Sequence, residues 1–324
     1  MKPVALVTGE VSPYRREPFQ MLDEAEGVEV LARDELGERA VARRVGSGDY
    51  RAVIAGLGGR VALPGSYAAA RRARIPFVLW ASLWAHPRTP AHVLSFGPTV
   101  LLYRRADAVV TYGPHVSEYV RRYRKAGSVF EAPQASTLKQ AERVAHDVFR
   151  LLYVGRLERE KGFDVLLDAW RRADVDGELL VAGDGPIAAT GPAVRALGFV
   201  PREELPELYA SADALVLPSV RTATFLEPWG LVVNEAMQQG TPVIASDAVG
   251  AVAGGLVRDG RNGLVAPAGD PEALATRIRV AAINPELRER LGTAARADVT
   301  PFSYAAWVEG MRRALRAVGA GGPC

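Results

Sequence analysis

Residues 151–172 read LLYVGRLEREKGFDVLLDAWRR. The apolar run at the start predicts a buried strand, the last ten residues predict an amphipathic helix, and a charged loop bounded by glycines separates them. Because parallel sheets bind ligands at the carboxyl ends of their strands, this loop is a candidate binding segment. Arg156 and Lys161 place two cations in it, which suits a diphosphate. The alternative is a surface ion pair with Glu158 or Glu160.

The same alternation of apolar runs and helical segments extends outward over the whole chain. Strands are predicted at residues 4–7, 28–31, 52–55, 76–80, 108–111, 151–154, 179–182, 214–217 and 242–245. Helices are predicted at residues 18–26, 67–73, 93–105, 116–124, 163–172, 231–239, 271–282 and 304–315, the last with Ser303 as its N-cap. Pro98 is expected to interrupt its helix. This alternation predicts the α/β class with parallel sheets.

The chain length predicts two domains. At about 150 residues per domain, 324 residues make two domains with real cores. Residues 132–140 show no strong pattern and are interpreted as an interdomain linker. We therefore expect an N-terminal domain at 1–137, a C-terminal domain at 138–302 and a final helical segment at 303–324.

Composition excludes several classes of protein. With 48% hydrophobic residues and a net charge of +3, the chain is not intrinsically disordered. No apolar run approaches 18 residues, and the first residues turn polar by Thr8, so neither a transmembrane helix nor a secretory leader is expected. The single cysteine, Cys324, excludes an intramolecular disulfide and a zinc-thiolate site, and it fits a reducing, cytoplasmic setting.

A second candidate segment, residues 227–237, reads EPWGLVVNEAM. Its proline and glycine place Glu227 in a loop and Glu235 one to two turns into the following helix. The amides that would be free at the helix N-terminus, and would suit a phosphate, belong to Gly230, Leu231 and Val232. Two acids in these positions could hold two parts of one ligand. Spacing alone favours the alternative, a capped helix with two solvated acids.

Two further turns follow predicted strands. Residues 183–186 read GDGP and include Gly185, and residues 198–201 read GFVP and include Val200. Either turn could pass its backbone close to a flat base. The alternative for both is ordinary turn chemistry.

In their order along the chain, these segments resemble the retaining family 4 glycosyltransferases, which have the GT-B fold. The motifs that carry the resemblance are Gly-Arg-Leu…Lys-Gly from Gly155, Gly-Asp-Gly-Pro from Gly183, Gly-Phe-Val-Pro from Gly198, Glu-x7-Glu from Glu227, Gly-Thr-Pro-Val from Gly240, Asp-Gly-Arg-Asn-Gly-Leu-Val from Asp259 and Pro-Phe-Ser-Tyr from Pro301. Each motif alone is weak, whereas the ordered set is specific. The resemblance is close over residues 150–318 and loose over 1–130.

The resemblance implies two Rossmann-like domains that face each other across a cleft, with the C-terminal helix crossing back to the N-terminal domain. The C-terminal domain would bind a nucleotide-sugar donor. The N-terminal domain would bind the acceptor, which would be a glycan, a glycolipid or a secondary metabolite. Transfer would retain the anomeric configuration, by front-face attack in which the departing phosphate takes the acceptor proton. No metal or cofactor is implied.

The resemblance also implies roles for individual residues. Arg156 and Lys161 would hold the donor diphosphate, Glu227 would contact sugar hydroxyls, and Glu235 would hold the ribose. The other implied donor contacts are the Val200 backbone at the base, the turn at Gly185, and the amides of Gly230, Leu231 and Val232. Preorganised cations and amides would stabilise the charge that develops on the diphosphate.

Family members often carry a histidine after the fourth N-terminal strand, facing the donor sugar. His86 is the candidate here, and His92 and His115 are competitors that are each better explained as surface or helix histidines.

This sequence departs from the family pattern in two places. The usual Gly-Gly pair after the first strand is replaced by a segment containing Arg15, which we interpret as a surface arginine, with an acceptor or phosphate contact as the alternative. The usual glutamate after the Gly250 turn is replaced by residues 253–255, Ala-Gly-Gly. Residues 174–176, Asp-Val-Asp, match a metal motif of another glycosyltransferase fold. They lie between a helix and a strand, so we interpret the match as chance.

Charge is distributed unevenly. Residues 51–130 hold 12 Lys and Arg against two acids, whereas the rest holds 28 against 35. The favoured interpretation is a solvated, arginine-rich face. The second is peripheral association with an anionic membrane, or with a phosphorylated lipid acceptor, through Arg121, Arg122, Arg124 and Lys125 on one helix. Nucleic-acid binding comes third, because no known binding module accompanies the charge.

Two other functions stay open beside glycosyl transfer. One is a GT-B nucleotide-sugar epimerase. The other is a catalytically silent subunit that only binds a nucleotide sugar, against which the intact Glu227, Glu235, Arg156 and Lys161 argue. A sugar phosphorylase of the same fold would be much longer and would need a pyridoxal-phosphate lysine, for which the sequence offers no candidate.

Overall fold

The computed structural model describes residues 2–144 and 146–322, and Cys324, on which the exclusion of disulfide and zinc-thiolate sites rests, lies outside them. Two compact units make up the chain. Unit 1 comprises Met1–Gln134 together with Ser303–Cys324, and unit 2 comprises Ala135–Phe302. The chain therefore leaves unit 1, builds unit 2 and returns to finish unit 1.

Unit 1 is built on a six-stranded sheet. Its strands are β1 Val4–Thr8, β2 Val28–Ala32, β3 Ala52–Gly56, β4 Phe77–Ala81, β5 Ala108–Thr111 and β6 Ser128–Glu131. The helices between them are α1 Pro13–Glu26, α2 Arg33–Leu36, α3 Glu38–Ser47, α4 Ala62–Ala73, α5 Pro90–Arg105 and α6 Pro114–Arg121. All pairings are parallel, in the order β2-β1-β3-β4-β5-β6.

Unit 2 is also built on a six-stranded sheet, with a different strand order. Its strands are β7 Phe149–Val154, β8 Gly177–Ala182, β9 Val194–Gly198, β10 Ala214–Leu217, β11 Val243–Ser246 and β12 Gly263–Ala266. Its helices are α7 Phe163–Ala173, α8 Leu205–Ala210, α9 Leu231–Gln238, α10 Gly250–Ala253, α11 Pro271–Ile283 and α12 Pro285–Asp298. The sheet is parallel throughout, in the order β12-β11-β10-β7-β8-β9. The α/β class with parallel sheets is thus confirmed.

The last helix, α13 Tyr304–Ala317, belongs to unit 1. Ser303 Oγ accepts a hydrogen bond from the Ala306 amide at 3.2 Å, which confirms the predicted N-cap. Trp307 and Met311 are fully buried in the core beneath the sheet of unit 1. A Cβ at Gly310 would overlap the Glu131 carbonyl, so the helix backbone lies directly on β6. This packing makes α13 part of the core of unit 1.

Three expectations about unit 1 are wrong. Helix α5 runs through Pro98 without a break, since the proline is on the exposed side, where water can replace the lost hydrogen bond. Arg15 is buried, with 6% of its surface exposed, because aromatic side chains surround it. Arg124 is also buried rather than on a solvated helix face, since α6 ends at Arg121 and its guanidinium donates to the carbonyls of Tyr103, Ala106 and Asp107.

No helix in the described ranges is long and apolar enough to cross a bilayer.

Candidate functional site

The sheet of unit 2 reverses its direction of growth between β7 and β10. From β7 the chain builds β8 and β9 on one side, then crosses over to build β10, β11 and β12 on the other. The loops after β7 and β10 therefore diverge at adjacent strand ends, which is where open parallel sheets bind ligands. Gly162 has a φ of +68°, and a Cβ there would overlap the carbonyl of Pro218, so the two loops touch backbone to backbone.

Two predicted site residues meet at this point. Lys161 Nζ lies 2.5 Å from Glu227 Oε2, which also accepts from Ser219 Oγ at 3.0 Å. Glu227 is buried, and Lys161 is largely buried over the ring of Phe225. The glutamate is fixed by a parallel bridge from its backbone to Val249. The loop after β7 and the loop after β10 thus bring a cation and a carboxylate together at the strand ends.

Glu235 lies in α9 and is held by three donors. Its Oε1 accepts from Ser136 Oγ at 2.6 Å and from the Arg202 guanidinium at 2.9 Å, while its Oε2 accepts from Tyr209 Oη at 2.9 Å. Burial, followed by the charge of Glu235, raises the pKa of Tyr209 well above its ordinary value, so the phenol stays a donor. The predicted alternative of a solvated acid is wrong for both Glu227 and Glu235, since each is at least nine-tenths buried.

Sequence reasoning missed the three partners of Glu235. Ser136 lies in the segment interpreted as a linker, and Arg202 follows the Gly-Phe-Val-Pro turn. Tyr209, in α8, reads from the sequence as an ordinary core aromatic. Arg202 also donates to Ser136 Oγ at 2.8 Å, which closes the network. The sequence offered one signal for this network, namely that Arg202 is a charged residue directly after a turn at a strand end.

Arg156 is more exposed than Lys161, the other cation predicted for this site. Its guanidinium lies 2.5 Å from Glu158 Oε2 and 2.7 Å from Glu160 Oε1. These are the ion pairs that the sequence offers as the alternative to a ligand role. The side chain is about half exposed, and it lies in the same loop as Lys161.

The N-terminus of α9 lies beside Glu227. Gly230 is its N-cap, with a φ of +92°. Because glycine has no side chain, it cannot cap the backbone amides of Leu231 and Val232 at the start of the helix. A Cβ at Gly250 would overlap the Pro228 carbonyl, which pins the segment before the helix.

The other two predicted turns lie at the ends of β8 and β9. A Cβ on Gly183 would overlap the Gly155 carbonyl, and one on Gly185 would lie 2.6 Å from the Leu157 carbonyl. These glycines therefore let the loop after β8 pack on the loop after β7. Val200 is partly exposed, beyond the end of β9.

The predicted histidine, His86, lies in unit 1 between β4 and α5. Its Nε2 is 2.7 Å from the His92 carbonyl, and its ring packs against Phe96. His86 Nδ1 is buried and has no hydrogen-bond partner among the described residues. His115 is buried, with its ring edge-on to Trp84.

Other features of unit 2 lie apart from these residues. A cavity of about 810 Å³ is lined by α12 and the start of the unit, including Arg143, Arg288 and Arg296, but by no predicted site residue. Asp174 is the C-cap of α7, so the Asp-Val-Asp segment connects a helix to β8. Within residues 2–144 and 146–322 no three His, Cys, Asp or Glu side chains are grouped so as to hold a metal ion.

About half of the chain matches a known protein family. The family model described as glycosyl transferases group 1 matches residues 134–298, just over half of the chain. These residues span all of the strands and predicted donor-side residues of unit 2.

Three curated relatives match at similar levels. D-inositol 3-phosphate glycosyltransferase of Nocardioides sp. is 31% identical over 210 residues, which is 54% of this chain and 43% of that protein. Alpha-D-kanosaminyltransferase of Streptomyces kanamyceticus is 32% identical over 154 residues, 44% of this chain and 38% of that protein. Sulfoquinovosyl transferase SQD2 of Arabidopsis thaliana is 32% identical over 168 residues, 48% of this chain and 31% of that protein. Each match thus spans less than half the length of the relative.

Solved structures resemble the whole chain. Sucrose-phosphate synthase from Thermosynechococcus elongatus superposes with a TM-score of 0.78 at 22% identity, covering 99% of this chain and 100% of that one. Anabaena HepE in complex with UDP-glucose gives a TM-score of 0.72 at 20% identity, covering 98% and 100%. At these identities the likeness establishes the fold, and it confirms the expected GT-B class.

Proposed function

Because the chain belongs to the group 1 glycosyl transferases, we propose that it moves a sugar from a nucleotide-sugar donor to a glycan, glycolipid or secondary-metabolite acceptor. The observation that carries the proposal is the contact between Lys161 and Glu227 at the switch point of unit 2. It sets a cation for phosphate beside a carboxylate for sugar hydroxyls. HepE, whose fold this chain shares, is described in complex with UDP-glucose, which supports the donor class.

On this proposal the diphosphate lies against the loop after β7. Lys161 carries three N–H donors and gives one to Glu227, so it can also bind a phosphate oxygen. Arg156 is exposed enough to exchange Glu158 and Glu160 for the diphosphate. The amides of Gly230, Leu231 and Val232 add the positive end of the α9 dipole.

Glu227 would accept hydrogen bonds from sugar hydroxyls, with Lys161 and Ser219 holding its carboxylate in place. Glu235 would accept from a ribose hydroxyl through the one acceptor site that Ser136, Arg202 and Tyr209 leave, which is on Oε2. Gly185 and the Val200 backbone would lie near the base. His86 of unit 1 would face the donor sugar.

The proposed chemistry needs no metal. The bond between the sugar anomeric carbon and the diphosphate breaks, and the acceptor oxygen bonds to that carbon on the same face. The acceptor proton passes to the departing diphosphate. Lys161, Arg156 and the α9 amides stabilise the charge on that group, and stabilisation of this kind often contributes more to the rate of an enzyme than any other effect.

The test is release of nucleoside diphosphate from a panel of UDP-, GDP-, ADP- and dTDP-sugars with acceptor present. Glu227→Gln and Lys161→Ala are each expected to lower kcat by about 10²–10³-fold, as loss of one charge-stabilising group does elsewhere. The matched controls are Glu207→Gln and Lys139→Ala, both exposed in unit 2, and they are expected to leave the rate unchanged.

Other outcomes would point to the rival functions. Donor binding without release of diphosphate would indicate the silent subunit. Conversion of the donor to an epimer would indicate the epimerase. An inverted anomeric configuration in the product, read by NMR coupling constants, would contradict retention, and loss of rate in EDTA would contradict metal independence.

Peripheral membrane association is proposed through helix α5. Its exposed apolar residues are Val93, Leu94, Phe96 and Leu101. Since Val93 and Leu101 are two turns apart and Leu94 is adjacent, they form one stripe along the helix. Exposed cations lie on or directly before α5, namely Arg88, Arg104 and Arg105, and at the end of α6 or just after it, namely Arg121, Arg122 and Lys125. An apolar stripe with cations beside it fits an anionic lipid surface.

Liposome co-sedimentation tests this association. Binding is expected to increase with the fraction of anionic lipid and to fall in Leu94→Asp. The control is Ile283→Asp, since Ile283 at the end of α11 is 79% exposed and Leu94 is 81% exposed. Equal binding to neutral and anionic vesicles would contradict it.

A further inference from the structure

Unit 1 has its own switch point, and a cavity lies there. Its sheet reverses between β1 and β3, since the chain builds β2 on one side of β1 and then β3 to β6 on the other. A cavity of about 180 Å³ opens at the carboxyl ends of four strands, lined by Thr8, Gly56, Ser82 and Tyr112 among others. Pockets that bind drug-sized ligands measure roughly 300–1,000 Å³, so this smaller cavity fits one polar group of a ligand.

A buried cation lines this cavity. Arg15, in the first turn of α1, lies with its guanidinium carbon 4.6 Å from the centre of the Trp80 ring and 5.1 Å from that of Tyr14. Arg15 donates its hydrogen bonds through one nitrogen, Nη2. The acceptors are Gln134 Oε1 at 2.5 Å and Tyr112 Oη at 3.5 Å. Among the described residues, these contacts are all to neutral groups.

The lack of an acid beside Arg15 contrasts with the buried glutamates, which are paired with cations. The other arginine that is buried among the described residues, Arg124, forms no ion pair either but donates three hydrogen bonds to carbonyls. Glu26 is paired with Arg51 and Arg312, both at 2.9 Å. The two buried carboxylates at the candidate site of unit 2 also have a cation each. A buried charge is costly without a counter-charge or a full set of hydrogen bonds. Within the described residues no carboxylate forms an ion pair with Arg15, and the acid that lines the cavity, Glu10, is exposed.

We infer that this cavity binds the phosphate group of a phosphorylated small molecule. Arg15 Nε and Nη1 are left for phosphate oxygens, and guanidinium matches phosphate bidentately. The hydroxyls of Ser12, Ser82 and Tyr112 supply neutral donors around the same space. Burial raises the pKa of Tyr112, so its phenol stays protonated and can donate. If the proposed function holds, the phosphorylated molecule is the acceptor, but the binding itself does not depend on that function.

Binding without donor tests the inference. Glucose 6-phosphate, glucose and glucuronate are titrated at constant ionic strength, with thermal stability and tryptophan fluorescence as readouts, since Trp80 underlies Arg15. Glucose 6-phosphate is expected to raise the midpoint of unfolding and glucose is not. Arg15→Gln is expected to weaken binding at least about tenfold, the effect of losing charge-assisted hydrogen bonds. The control is Arg16→Gln, which removes the same charge from an exposed position of the same helix.

A second arm separates this site from the proposed donor site. Lys161→Ala is expected to bind glucose 6-phosphate as the unmodified protein does. Loss of binding in Lys161→Ala but not in Arg15→Gln would overturn the inference, and so would tighter binding of glucuronate. If Arg15→Gln does not fold, the same titration with glucose 6-phosphate is made on Arg15→Lys. Intermediate affinity is then expected, and unchanged affinity would overturn the inference. Because no transfer is measured, failure of the proposed function would leave this result intact.

Discussion

The two α/β units are both parallel six-stranded sheets with a switch point, but their strand orders differ and they treat charge at those points in opposite ways. In unit 2 the loops after β7 and β10 bring Lys161 against Glu227, so the cation is neutralised within the protein. In unit 1 the helix after β1 brings Arg15 against aromatic rings and neutral oxygens. The comparison teaches that a switch point in a parallel sheet fixes where a polar group is placed but not what compensates its charge.

The largest effect is expected from breaking the pair in unit 2. Lys161→Met would leave a buried carboxylate without its cation, which costs about 3 kcal/mol of unfolding free energy. Adding Glu227→Gln to it should restore most of the loss, because no buried charge is then left. Urea unfolding followed by circular dichroism measures both, with Lys139→Met as the control. A double variant no more stable than Lys161→Met would show that the pair is not the cause.

The second-largest loss of stability is expected from substituting a glycine in a loop at a strand end of unit 2. Gly183→Ala should destabilise the protein by about 2–3 kcal/mol, since Gly183 has a φ of +140° and its Cβ would overlap the Gly155 carbonyl. Gly9→Ala, after β1 of unit 1, should change stability by less than about 0.5 kcal/mol, because its Cβ would meet only the flexible end of Arg33. Thermal unfolding compares them, and equal losses would show that both units pack their loops equally tightly.

A smaller, pH-dependent effect is expected at Asp298, at the end of α12. A hydrogen bond from Arg261, with further contributions from Asn262 and Arg258, lowers the pKa of Asp298 to about 2. Because the pKa is lower in the folded state, the stabilisation is complete above about pH 4 and is lost as pH falls through about 2. Asp298→Asn should therefore cost about 1 kcal/mol at pH 7, a moderate value because both arginines are half exposed. Urea unfolding of both proteins at several pH values should show the difference shrinking below pH 4, and a constant difference would contradict the assignment.

The smallest effect is expected from removing the cation of unit 1. Arg15→Met leaves no carboxylate behind and keeps an apolar side chain against Trp80, so stability should change by less than about 1 kcal/mol. The measurement is the same urea titration. A loss of unfolding free energy as large as that of Lys161→Met would contradict the contrast between the charges at the two switch points.

Much of the fold was predictable because buried parallel strands are apolar on both faces. The runs at 4–7 and 151–154 gave β1 and β7 to within two residues. Strand β9 was missed because Arg195 and Ala196 are exposed, which leaves no apolar run at this edge of the sheet. Helix α12 was missed although Asn284 caps it, since its buried residues are only Leu291, Gly292 and Ala295, which give too weak an apolar pattern.

The site was only partly predictable. Glu227 and Lys161 stood out because both follow strand ends, but their contact depends on β7 and β10 being neighbours, which local sequence does not encode. The burial of Arg15 depends on Trp80 and Trp307, which lie far away in the chain. A surface arginine and a buried one have the same local pattern, so only the tertiary structure distinguishes them.

The return of the chain to unit 1 has a consequence for synthesis on the ribosome. Trp307 and Met311 fill the core of unit 1, yet they are made after all of unit 2. Domains usually fold in the order of their synthesis. Here the first 134 residues emerge with one face of their sheet covered only in part, by α1, and unit 2 is complete before α13 arrives. The unit that starts first is therefore the one that finishes last, and its open face needs protection from aggregation during that interval.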